Sequence, residues 1–140
     1  MGQMTLIRPD GTKAEWENVT SGIAGYQSST DCWKRERGVI PSSMLCARPT
    51  VVMTQKQHSD LFQAVGEWLY TIWPTNLWSN DQTTVRKSCA VHLDANFDTS
   101  PGSSGCIVFT REVSWSEFEK EMAALYAAGI DECPLEVLYV

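Results

Sequence analysis

Cys106 and His92 are the side chains in this 140-residue sequence whose types and spacing suit covalent chemistry. They stand at the rims of one stretch, Cys89 to Phe109. In it, apolar runs around Val91 and from Ile107 to Phe109 bracket a loop rich in Ser, Gly, Asp and Pro. A thiol is a weak nucleophile until a neighbour takes its proton, and imidazole has the pKa for that task near neutrality. Gly105 allows a tight backbone turn, so the N–H groups of Gly105 and Cys106 can point at a developing oxyanion. The predicted chemistry is acyl transfer through a thioester, with a Cys106 that alkylates well below the ordinary thiol range.

The elements that must position this pair follow from local pattern. The run from Thr83 to His92 reads as one strand feeding the site, and Ile107 to Phe109 as a second, both short and β-branched. Downstream, Ser114 reads as the N-cap of a helix with Glu117 completing a capping box. Phe118, Met122, Leu125 and Tyr126 form its apolar stripe, and Gly129 ends it. Pro134 opens a last strand running to Val140.

Upstream, Met4–Ile7, Asp10-Gly11 and Thr12–Trp16 read as a hairpin, because Asp-Gly between β-prone runs is a tight-turn signal. Val19 to Gly22 ends a strand. From Ile23 to Ser43 the composition is that of a long surface loop able to wall a cleft. Leu45 to Thr54 reads as a strand broken by Pro49, hence an edge strand. His58 to Trp73 is ambiguous between helix and strand. Gly66 and the β-prone Trp68 to Trp73 favour a strand over 66–73, followed by a turn from Pro74 to Asp81. The sum is one domain over residues 1–140, mainly β with one C-terminal α-helix. Composition alone does not choose between sandwich and barrel.

His92, a spacer, then Ser103-Ser104-Gly105-Cys106-Ile107 resembles the signature of the L,D-transpeptidase catalytic-domain family of cell-wall cysteine enzymes, in particular its compact phage-borne and secreted-effector branch. Val19-Thr20-Ser21-Gly22 followed by Arg37-Gly38-Val39-Ile40-Pro41 is similar to the family's leading segment, and the closing helix and strand are similar too. The sequence departs from the pattern at Leu93, where the family commonly has Gly, at Ser104, where many members have a second His, and at Val108, where transpeptidases often carry Arg. The spacing of 106 − 92 = 14 positions is short for the transpeptidases proper. The resemblance implies an L,D-transpeptidase-like β-sandwich with the Cys loop exposed at one end, no cofactor, and peptidoglycan stem peptides as substrate. It implies that the main-chain carbonyl after His92, that of Leu93, orients the imidazole. Hydrolysis and exchange both stay open.

Around this pair, Asp94 is a side-chain alternative for orienting His92, two residues on and therefore on the same face of a strand, or else a turn-forming residue. Ser103 shapes the loop, and Ser104 can only offer a hydrogen bond to substrate. Arg86 and Arg111 flank the motif. Either could grip a stem-peptide carboxylate bidentately, although a solvated surface arginine is the plainer reading of each. His58 reads as an exposed loop residue. A metal held by His92, Asp94 and Cys106 is the rival chemistry, and no second His or Cys at ligand spacing supports it.

Composition bounds the partners. Net charge is −6 and the basic run Lys34-Arg35-Glu36-Arg37 is short and broken, which disfavours nucleic acid and anionic membranes. The N-terminus lacks the basic and apolar regions of a signal peptide, and no apolar run is long enough to span a bilayer. A protein made in the cytoplasm that acts on cell wall must then be delivered by a virion or a secretion machine. Five cysteines are an odd number. Cys106 is the reactive one, and Cys32, Cys46, Cys89 and Cys133 read as small buried hydrophobes. Six tryptophans in so short a sequence predict that some line a surface groove, the rest filling core and rim. A non-catalytic reading also follows: a structural or wall-binding module of a phage tail or baseplate on the same scaffold.

Overall fold

The structure, a computed structural model, describes residues 2–22, 32–33, 40–58, 68–94 and 106–139. Ten strands and one helix appear among them: β1 (Gly2–Ile7), β2 (Lys13–Thr20), β3 (Thr50–Met53), β4 (Gln57–His58), β5 (Trp68–Trp73), β6 (Asn76–Trp78), β7 (Val85–Lys87), β8 (Ala90–Leu93), β9 (Ile107–Phe109), α1 (Glu112–Ala127) and β10 (Glu132–Leu135). Eight strands form a curled sheet in the order β1-β2-β9-β8-β5-β3-β10, with β4 also paired to β5, while β6 and β7 make a separate hairpin. The described residues are mainly β and sandwich-like, with one α-helix among them, near the C-terminus.

The first hairpin turns at Asp10-Gly11 as expected. Gly11 sits at φ 86°, and the Asp10 carboxylate accepts from both the N–H and the hydroxyl of Thr12. Further along β2, Asn18 adopts φ 60° and the register slips by one residue. This bulge lets Trp16 and Val19, three residues apart, both face the core.

That core is aromatic. Phe118 of α1 lies between Trp16, Tyr70, Phe109 and Trp115, with ring centroids 5.0 to 5.9 Å apart. The helix thus clamps β2, β5 and β9 from one side, and its buried face is Trp115, Phe118, Met122 and Leu125.

Several expectations are corrected. The helix starts at Glu112 with Arg111 at the N-cap, not at Ser114, and Glu117 accepts from the indole N–H of Trp16 at 3.0 Å instead of closing a capping box. Tyr126 is exposed, and Trp115 takes the core position. Strand β3 is internal, between β5 and β10, because Pro49 falls just before it, where a missing N–H breaks no ladder. The 74–81 turn contains β6. The run from Thr83 splits into β7 and β8, since Ser88 turns at φ 57° and donates its N–H to Thr75. The last strand is Glu132–Leu135 and does not continue to Val140. His58 is exposed but belongs to β4, edge-on to Trp68. Most of 23–43 lies outside the described residues, yet Cys32 and Ile40 within it are buried, not surface. Gly129 ends α1 at φ 84°, and β5 begins at Trp68; both agree with the sequence reading. The Trp73–Pro74 peptide is cis.

Candidate active site

His92 lies on β8, and β9 runs parallel to it with Val91 opposite Ile107, His92 opposite Val108 and Leu93 opposite Phe109. Parallel neighbours need a long crossover, which the interval between Leu93 and Ile107 supplies. Side chains paired in register share a face. Cys106 immediately precedes β9, outside the strand, two residues before Val108, the register partner of His92. The other face, Val91, Ile107 and Phe109, belongs to the aromatic core.

The imidazole of His92 is buried, with 2% exposure, and its Nδ1 lies 2.7 Å from the carbonyl oxygen of Leu93. A carbonyl only accepts, so Nδ1 carries the proton and Nε2 is left with the lone pair of a base. Burial holds the His92 pKa below its ordinary value, against the opposing pull of the Leu93 carbonyl and the nearby Asp94 carboxylate. The ring is therefore neutral at pH 7. Asp94 is itself buried just past the end of β8, and its N–H donates to the carbonyl of Phe109 at 2.9 Å, extending the ladder. It acts on His92 through its charge, while Leu93 makes the contact at Nδ1.

Cys106 is half-buried. Burial pushes its thiol up, and two neighbours oppose the shift: the N–H of Ala90, which hydrogen-bonds the sulfur, and the Arg86 guanidinium. The net direction corrects the expectation of an unusually acidic thiol. Cys106 rests as a neutral thiol and His92 as a neutral imidazole, not as thiolate and imidazolium.

Arg86 departs furthest from its sequence reading. It is not a solvated surface arginine: it is 2% exposed on β7, opposite Leu77, and its Nη1 donates to the Cys32 carbonyl at 2.6 Å. Its charge is felt at Cys106, at Cys89 and at the Tyr139 hydroxyl, which itself donates to the Ile40 carbonyl. Cys89 is buried deeply enough for its thiol to be pushed up to about 12, which makes it inert beside Cys106. Arg111 is exposed at the helix start. Ser103, Ser104 and Gly105 lie outside the described residues. Val108 is fully buried and pairs in register with His92, an apolar neighbour of the imidazole strand. None of the five cysteines forms a disulfide, and among the described residues no group of three His, Cys, Asp or Glu could hold a metal ion.

Sequence reasoning missed the interior cation. The signal available was weak: Arg86 stands six residues before His92 in a β-prone run, which says nothing about burial. Comparison with known proteins found no matching family model, no matching curated protein and no matching solved structure.

Proposed function

We propose that this chain is a cysteine-dependent enzyme acting on the stem peptide of peptidoglycan, as a hydrolase or an exchange catalyst of the L,D-transpeptidase type. The observation that carries the reading is the Nδ1–Leu93 carbonyl contact. It fixes one tautomer of a buried, neutral His92 and leaves Nε2 as the basic nitrogen.

In this mechanism the Cys106 sulfur attacks a stem-peptide carbonyl carbon as its proton passes to Nε2 of His92. The N–H groups of Gly105 and Cys106 receive the oxyanion. The tetrahedral intermediate expels the amine, which takes the proton back from Nε2, and a thioester on Cys106 remains. Water or a second amine then adds to the thioester, with His92 again the base, and the thiol is released. A raised thiol pKa suits transfer concerted with attack, as in a serine–histidine pair. Arg86 lowers the cost of negative charge on sulfur during that transfer.

The test is the mass of muropeptides after purified peptidoglycan is incubated with the protein. Loss of a stem residue or a new cross-link names the bond and the reaction, and an unchanged digest contradicts the proposal.

A second reading is favoured by the exposed tryptophans: a wall-binding module of a virion tail or secretion assembly that retains the scaffold without turnover. It predicts sedimentation with peptidoglycan and no change in muropeptide mass.

A further inference from the structure

Trp73 and Trp78 remain outside the chemistry just described, yet they are 57% and 43% exposed and share one cleft of about 510 Å³. Trp73 closes β5 and Trp78 closes β6. On β6 the middle residue, Leu77, is buried, so Asn76 and Trp78 project together to the outer side. Arg48, Gln82 and the half-buried Cys46 complete the walls. The cleft is braced from behind: Ala47 donates its N–H to the Trp78 carbonyl at 2.9 Å, Asn80 donates its side-chain amide to the Met44 carbonyl at 2.9 Å, and Cys46 bridges to Ser79.

We infer that the Trp73–Trp78 cleft is a saccharide subsite that takes a strand of N-acetylated amino sugars, the glycan to which the stem peptides are attached. The inference deepens the wall-enzyme reading above and rests on it for the identity of the sugar. A pyranose ring presents an apolar C–H face and a rim of hydroxyl and acetamido groups. An indole face covers the first, and neutral amides such as Asn76 and Gln82 both donate to and accept from the second. Among the described residues lining the cleft Arg48 alone is charged, which admits neutral or anionic sugars and disfavours cationic ones. Ten of the described residues line the cleft, fewer than the roughly 20–30 a side of a stable protein interface. With net charge −6 and a single lining cation, it does not suit a nucleic acid. Leu77 of the cleft strand pairs with Arg86, whose charge reaches Cys106.

The experiment is titration of the full chain with chitotetraose, followed by tryptophan fluorescence and calorimetry, with maltotetraose as the sugar lacking acetamido groups. Expected are saturable binding with blue-shifted emission, no binding of maltotetraose, and a loss of about tenfold or more in affinity for Trp73→Ala and for Trp78→Ala. Trp78→Tyr, which keeps a stacking face, should recover most of the loss, and Cys106→Ala should bind as the parent does. No saturable binding by the parent protein, or binding indifferent to both tryptophans or to the acetamido group, overturns the inference. The two readings fail separately. Muropeptide turnover without chitotetraose binding removes the subsite and keeps the enzyme. Binding without turnover keeps the subsite and removes the enzyme.

Discussion

His92 is held neutral by burial and aimed by one carbonyl, and both facts have consequences in pH. The base works only when Nε2 is unprotonated. Turnover should therefore fall as pH drops through the folded pKa of His92, which lies below the ordinary 6.5. A pH profile of kcat/KM checks it, and an acid limb centred above 6.5 would disagree. The thiol carries a matching prediction. Iodoacetamide should modify Cys106 with a profile shifted above the ordinary thiol range, since burial outweighs Ala90 and Arg86. Arg86→Met should move that profile higher still, while Arg86→Lys, which keeps the charge, should move it less. A purely structural arginine would leave the profile where it was in both variants. At this scale the sequence was legible for the contact between His92 and the Leu93 carbonyl, which the resemblance implied. It was illegible for Arg86, because burial of a long cation is decided by what packs over it, here Cys32 and Tyr139 from distant parts of the chain.

Strand and helix boundaries show the same division. Gly129 was readable because a helix end needs a residue at positive φ, and the structure gives it 84° with open space where a Cβ would go. Gly129→Ala therefore meets no clash and costs backbone strain alone, about 1–2 kcal/mol, measurable by urea denaturation. The helix start was misread because Ser114 and Glu117 have the capping-box pattern, whereas tertiary contact recruits Glu117 to the Trp16 indole. The break between β7 and β8 escaped notice because Ser88 is a residue type that seldom adopts φ 57°, and no glycine marks the turn. The helix stripe was largely right. Phe118→Ala, emptying the centre of the aromatic cluster, should cost about 3–5 kcal/mol in the same assay, and a loss under 1 kcal/mol would contradict the packing described.

Across the whole molecule, stability should decline in acid in two windows. For His92 the folded pKa is lowered, so the unfolded chain binds more protons between that value and 6.5. Its contribution is complete above 6.5 and is lost as pH falls through the folded pKa. For carboxylates with depressed values the same sign applies lower down. Asp81, held at about 2 by Ser79 and Thr83, contributes above its unfolded value and loses that contribution as pH falls toward 2. Thermal melts from pH 7 to pH 3 should show both declines, and His92→Gln, whose amide can still donate to Leu93, should remove the upper one. The mainly-β character and the single late helix were legible from turn residues and periodicity. The sheet order was not, since the parallel β8–β9 pairing that sets His92 opposite Val108 joins strands whose sequences carry no mark of direction.

The thioester tests the central claim most directly. Protein incubated with peptidoglycan stem peptide and quenched in acid should gain the mass of an acyl fragment, mapped to the peptide carrying Cys106. The adduct should be absent from Cys106→Ala and form far more slowly in His92→Ala. Turnover that persists in Cys106→Ala, or an adduct on another cysteine, would contradict the account.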